Sequence, residues 1–582
     1  MKIQSSKRLA IGVALALSTV VLAACDRGPA PAAKPSVTTT SDEWPKFVDR
    51  FIEDYFVANP ATAVMLGRHE FDGQLPDWSA AGIQRAIARL EEERARVVEF
   101  TDAKLTSSQE RFQRDYLLSR IDNDLFWYRD AKQPSSNPVF YLNYGLDPST
   151  YVTVPYAPAD QRLRAFIKYA RGVPNAAEQI QANLTGPLPK TFIDFGVSSF
   201  GGLADFFRGD AIAAFAQVKD EQLQKELKAA IEPAAEAMAR LAKMLEGQAP
   251  KATDAYALGA ERFALMVKMT ENVTTPLAKI EAVGATDLER NLAALRAACA
   301  QYLPNASVEQ CVQKQSADKP EGGAVVGARN QLAQLRQFVV EHDIVSIPGT
   351  ETALVEQAPA FKSQNFAYIN IPGPYEKNLP SVYYIAPPDP KWSKAEQDAY
   401  VPGKADLLFT SVHEVWPGHF LQFLHSNRSP WRFGQLFVGY AFAEGWAHYT
   451  EEMMIEEGIA KGAPELQVGQ LLNALLRNVR YMCAIGLHTQ GMSVAQCEQM
   501  FKEKAYQDAG NARQQAARGT YDPAYLNYTM GKLMIMKLRE DWLAANPGGT
   551  RKQFHDQLLS FGGPPIPLAR AQMIKGPAGE LF

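Results

Sequence analysis

The chain has 582 residues, a formal charge of −4 and 46% hydrophobic residues. So small a negative balance gives no reason to expect a nucleic-acid partner. Once a leader is removed about 540 residues remain, enough to bury a large core with several subdomains.

At the N-terminus, Lys2, Lys7 and Arg8 precede an apolar run from Leu9 to Leu22, which leads into Ala23-Ala24-Cys25. A positive start, a short apolar core and small residues describe an export signal, not a membrane span. One reading is a simple signal peptide cut after an Ala. The other follows from Leu22-Ala23-Ala24-Cys25, which resembles the bacterial lipoprotein box. That resemblance implies cleavage before Cys25, acylation of its thiol and a periplasm-facing protein held to the membrane by a lipid. Asp26 then points to the inner membrane. The expected organisation is a signal peptide over 1–24, a flexible tether over 25–44, an N-terminal helical region over 45–350 and a catalytic region over 351–582. No further stretch is long and apolar enough to span a bilayer.

Helical periodicity dominates the remainder. Apolar residues recur at three and four over 81–104, 107–128, 160–183, 209–246, 253–270, 287–302 and 326–341. Two extended segments, 366–371 and 381–385, are rich in β-branched and aromatic residues and flank Pro372-Gly373-Pro374. They predict a small sheet. The proline-rich stretch 386–403 predicts a loop. Helices are expected again over 404–426, 434–458, 464–488, 493–508 and 522–545. Besides Cys25 there are four cysteines, an even number that suggests disulfides in an exported protein. Of the three possible pairings, Cys299–Cys311 and Cys483–Cys497 are the local ones; four buried thiols are the alternative.

Residues 413–419 read His-Glu-Val-Trp-Pro-Gly-His, and Glu444 follows in Ala-Glu-Gly-Trp-Ala-His-Tyr-Thr-Glu. Two imidazoles and a carboxylate are ligands that zinc accepts, and a Glu beside such a site can take a proton from water. His413 and His419 are six apart. On an ideal helix that leaves them about 120° and about 9 Å apart, too far to share an ion. Pro417 cannot donate to a regular helix, so a bulge at Pro417-Gly418 is expected to turn both imidazoles inward. His413, His419 and Glu444 are the candidate ligands, and Glu414 is the candidate general base. A lone buried His is more often a hydrogen-bonded core residue, but two beside a Glu and a Pro-Gly break form a pattern.

Glu451 falls on the face of Glu444 and His448, where it suits an outer partner for a ligand His. His448 is a lesser ligand candidate; a solvated face is the plainer alternative. Near the end of an apolar helix, His488 suits either an oxyanion donor or a dipole-stabilised helix end. Arg477 and Arg480 suit a peptide carboxylate, or simply acidic neighbours. Tyr528 suits a tetrahedral intermediate or plain packing.

These motifs resemble the bacterial family grouped as domain of unknown function 885. The matching segments are His413 to Gln422, Glu444 to Glu451, Arg477 to His488, Tyr528 to Gly531 and, near the start, Asn59 to Gly67. One departure is Ala484, where the family pattern has Asp. The resemblance implies a mainly α, two-lobed gluzincin-like fold with a deep channel and a small β element beside the active-site helix. It also implies one Zn²⁺ per chain and a peptide substrate, and it favours His488 and Tyr528 as catalytic groups. The expected activity is zinc-dependent hydrolysis of short peptides. The alternatives are a zinc amidase acting on cell-wall or other non-peptide amides, and a non-catalytic binding lipoprotein.

Overall fold

A computed structural model describes residues 43–105, 107–359, 362, 366–388, 390, 392–575 and 579–582. The expected leader, Cys25 and all of the tether except its last two positions lie outside the described residues. Those two positions already belong to helix α1 (Glu43–Ala58), so the tether was drawn slightly too long. Trp44, Phe47, Val48, Phe51, Ile52 and Tyr55 recur at three and four along α1 and are all buried.

The protein is mainly α-helical, with one three-stranded sheet. Its core divides into two large parts and a small cluster at the sheet, Ala358, Tyr384 and Ala386. In the smaller of the two large parts, three long helices, α2 (Ala159–Asn183), α3 (Lys190–Arg208) and α4 (Glu221–Gln248), pack together through Phe166, Phe200, Phe207, Leu227, Met238 and Leu245. The expected single helix 209–246 is two, Asp210–Ala214 and α4, because the chain leaves helical geometry at Phe215 and Asp220 caps α4 through the Gln222 and Leu223 amides. The larger core runs from α1 to the C-terminal helices and encloses the motif-bearing segments.

The sheet has strand order β1-β3-β2, with β1 (Ala353–Gln357) parallel to β3 (Ser381–Ile385) and β2 (Ala367–Asn370) antiparallel to it. Strand β1 was not foreseen: Ala-Leu-Val-Glu-Gln buries only Val355 and carries little periodic signal. The segment 386–403 also contains a short helix, Lys394–Tyr400, closed by a capping box between Ser393 and Glu396.

Helix α5 (Leu277–Tyr302) packs on α9 (Pro464–Thr489), which is buried along most of its length. Asp287 on α5 accepts from Asn478 on α9 and Lys532 on α11 (Asn527–Ala545), both at 2.8 Å, and this ties three helices around a buried ion pair. Between them in sequence lie α6 (Lys404–Glu414), α7 (His419–Ser426), α8 (Tyr440–Glu456) and α10 (Ala509–Tyr521). Strand β2 packs against α6, so the sheet does stand beside the helix of the first motif. Both local disulfides, Cys299–Cys311 and Cys483–Cys497, are formed. Among the described residues no helix is long and apolar enough to cross a membrane.

Candidate metal centre

The His-Glu-Val-Trp-Pro-Gly-His segment is not one bulged helix. Helix α6 ends at Glu414, the chain leaves helical geometry at Val415, and α7 starts afresh at His419. The Gly418 amide turns back to the Val412 carbonyl at 3.0 Å. A Cβ on Gly418 would sit 1.8 Å from the His413 carbonyl oxygen, so only glycine allows this return. The reversal brings the imidazoles edge to face, with ring centroids 4.8 Å apart.

The third group comes from α8. This helix lies close against α11 because two glycines face each other: a Cβ on Gly445 would meet the Gly531 Cα at 2.5 Å. That contact delivers Glu444 from one helix and Tyr528 from the other to the same place. The Glu444 Oε2 lies 3.3 Å from His413 Nε2 and 3.4 Å from His419 Nε2. Two ligands held about 2.1 Å from one tetrahedral ion are themselves about 3.4 Å apart. Glu444 Oε2 is buried and has no hydrogen-bond partner among the described residues. His413, His419 and Glu444 are also the residues whose ligand atoms cluster within 4.8 Å of one another. Donor type, spacing and the unpartnered oxygen all fit a zinc ion.

Around this trio the charges are arranged to favour a cation. Burial opposes charge on His413, but Glu444 and Glu451 more than offset it and raise the imidazole to about 9. Burial likewise opposes ionisation of Glu444, yet the two imidazoles hold it well below the usual carboxylate range. The Glu451 Oε1 accepts from His413 Nδ1 at 2.7 Å, which aims Nε2 at Glu444. Arg477 stands 3.6 Å from the same Glu451 oxygen and donates to the Asn473 carbonyl at 3.1 Å. Glu451 and Arg477 are therefore the outer partners of the site. Glu414 follows His413 at the end of α6, and burial pushes its carboxyl up, against the pull of His419 and His413.

Tyr528 stacks its ring on His413, 6.2 Å between centroids and 19° between planes. On it lie the guanidinium carbons of Arg480 at 4.8 Å and Arg518 at 5.9 Å. Arg518 and its companion Tyr440 were missed in the sequence. Arg518 stands on α10, whose Ala-Gly-Asn-Ala-Arg-Gln-Gln run reads as polar surface and gives no local sign of burial.

Two expectations are corrected. The imidazole of His488 takes no part in the site: Nδ1 accepts from the Leu258 amide at 3.3 Å, and Nε2 donates to the Gly519 carbonyl at 2.8 Å. With both nitrogens used by backbone and the ring packed on Phe263, it cannot serve an oxyanion. His448 is not among the residues whose ligand atoms come together either. It is fully buried beside Glu451, and burial lowers it to about 4. The deep channel implied by the resemblance corresponds to neither of two surface cavities, one of about 500 Å³ beside Met492 and Met500 and one of about 150 Å³ beside Tyr302 and Lys404.

Fold and site together define a mainly α protein with a partly buried two-histidine, one-carboxylate cluster on broken helices. The chain belongs to the family described as bacterial protein of unknown function, DUF885, whose profile matches residues 60–573. Its fold is shared by a protein from Shewanella oneidensis described as a candidate lipoprotein of unknown function. The two are 22% identical, with a TM-score of 0.75, over 91% of this chain and 99% of the other. A second candidate lipoprotein, from Colwellia psychrerythraea, is 16% identical with a TM-score of 0.77, over 92% and 99%. No curated protein matches the chain.

Proposed function

We propose that the chain is a zinc-dependent metallopeptidase that hydrolyses short peptides. The observation that carries this reading is the buried Glu444 oxygen, unpartnered and 3.3–3.4 Å from two imidazole nitrogens. A zinc ion held by His413, His419 and Glu444 would polarise the attacking water and the scissile carbonyl. Glu414 supplies the proton traffic. It takes the proton of the water whose oxygen bonds to the carbonyl carbon, and it returns that proton to the amine nitrogen as the C–N bond breaks. A carboxyl raised by burial suits both halves of that task. Tyr528, stacked on His413 and flanked by two guanidiniums, is the donor we assign to the developing oxyanion. The two-lobed gluzincin arrangement belongs to the same proposal.

The leader motif at Cys25 and the lipoprotein descriptions of the two fold relatives support a cell-envelope lipoprotein. The inner membrane, suggested by Asp26, is part of that reading.

The experiment is metal analysis of the purified protein joined to mass spectrometry of products from a defined peptide library. Glu414→Gln should keep one zinc per chain and lower turnover by at least ~10²-fold. Peptide cleavage at the wild-type rate by that variant rules the assignment out. Cleavage of muropeptides alone would indicate an amidase, and zinc without hydrolysis would indicate a binding protein.

A further inference from the structure

Two arginines, Arg480 and Arg518, lie against the Tyr528 ring, and Arg477 is a further like charge on Arg480; the partners of the three differ. Arg477 has Glu451 at 3.6 Å, and Arg518 pairs with Asp522 at 2.9 Å. Arg480 has no acid. It is 8% exposed, and its one hydrogen bond among the described residues runs from Nε to Gln515 Oε1 at 2.9 Å. One helical turn onward stands Ala484, fully buried and without a carboxylate to offer. Burial, with Arg518 and Arg477 as like charges, lowers Arg480 to about 10.

A buried guanidinium without a counter-charge is expensive to keep, so its retention calls for a ligand that completes it. With Nε bound to Gln515, the two terminal nitrogens form the flat fork that matches a carboxylate. The Tyr528 ring lies against both this guanidinium, at 4.8 Å, and His413, at 6.2 Å.

We propose that Arg480 binds the free α-carboxylate at the end of the substrate, so that the metal centre removes residues from the C-terminus. This deepens the metallopeptidase reading and rests on it. The plainer role for Arg480 is to support the Tyr528 ring, and the two roles separate experimentally. Binding is measured by calorimetry on zinc-loaded Glu414→Gln protein with acetyl-Ala-Ala and with its C-terminal amide. The acid should bind at least tenfold more tightly. Adding Arg480→Gln should bring the acid-to-amide ratio close to one, and Arg480→Lys should keep part of the preference. Acetyl-D-Ala-D-Ala in a parallel arm tells a cell-wall terminus from an ordinary peptide terminus. In kinetics on otherwise unaltered protein, Arg480→Gln should lower the acid-to-amide ratio of kcat/KM by raising KM for the acid.

Equal binding of acid and amide by the Glu414→Gln protein overturns the proposal. So does a parallel loss for both peptides in Arg480→Gln, which would make Arg480 a support for Tyr528. If Arg480→Gln fails to fold, judged by circular dichroism, the Lys variant carries the comparison. Absence of hydrolysis with zinc bound counts against the metallopeptidase alone, because the binding ratio still tests Arg480.

Discussion

Gly418 shows how much one hydrogen atom decides. Any Cβ there enters the His413 carbonyl, so Gly418→Ala must push α6 and α7 apart. We expect a loss of roughly 2–4 kcal/mol in denaturant unfolding together with loss of zinc, from strain at a position with no room to relax. Retention of stoichiometric zinc by that variant would show that the return at Gly418 is not what aligns the imidazoles. Glu451 acts more gently, through the other nitrogen of His413. Glu451→Gln can still accept from Nδ1 but has lost its charge. Zinc affinity measured by competition with a chromophoric chelator should weaken by about 10–100-fold.

Among the elements, the connection between β2 and β3 fastens distant parts of the chain. His69, near the N-terminus, bridges Asp72 at 3.0 Å and Glu376 of that connection at 2.8 Å, and it stacks on Tyr156 at 3.6 Å. Burial alone would discharge this ring; the hydrogen bonds to Asp72 and Glu376 prevail and raise it to about 9. The folded value lies above the unfolded one of 6.5. Its contribution to stability is therefore complete below pH 6.5 and is lost as pH climbs through about 9. Denaturant midpoints taken across that window should fall for the native chain and fall less for His69→Gln. An unchanged slope in the variant would assign the pH dependence to other groups. Elements also mark the limits of periodic reading. Helices such as α2 and α9 have long apolar repeats and were legible. Helix α3 was missed because Lys-Thr-Phe-Ile-Asp-Phe-Gly-Val-Ser-Ser-Phe-Gly-Gly mixes aromatics with glycine and serine, and helix propensity there is overridden by packing against α4.

Across the whole molecule, metal and fold should be coupled. The three candidate ligands come from α6, α7 and α8, so an ion that binds them would hold together segments that unfolding separates. Zinc at a hundred times its Kd should add about 2.7 kcal/mol. Chelation should accordingly lower Tm, and His419→Ala should show no such shift. A Tm indifferent to chelator would mean that no ion is held by the folded chain. What residue order alone determined was class, the mainly helical build and the local cysteine pairs, and it offered the candidate ligand types and the neighbouring Glu, because these depend on short-range pattern and spacing. Only the tertiary structure decided who meets whom. It set Glu451 on His413, enclosed His488 between two backbone groups, and left Arg480 without an acid among the described residues. Each of these depends on helices far apart in the chain, whose approach is governed by side-chain volume at contacts such as Gly445 against Gly531, which no local motif records.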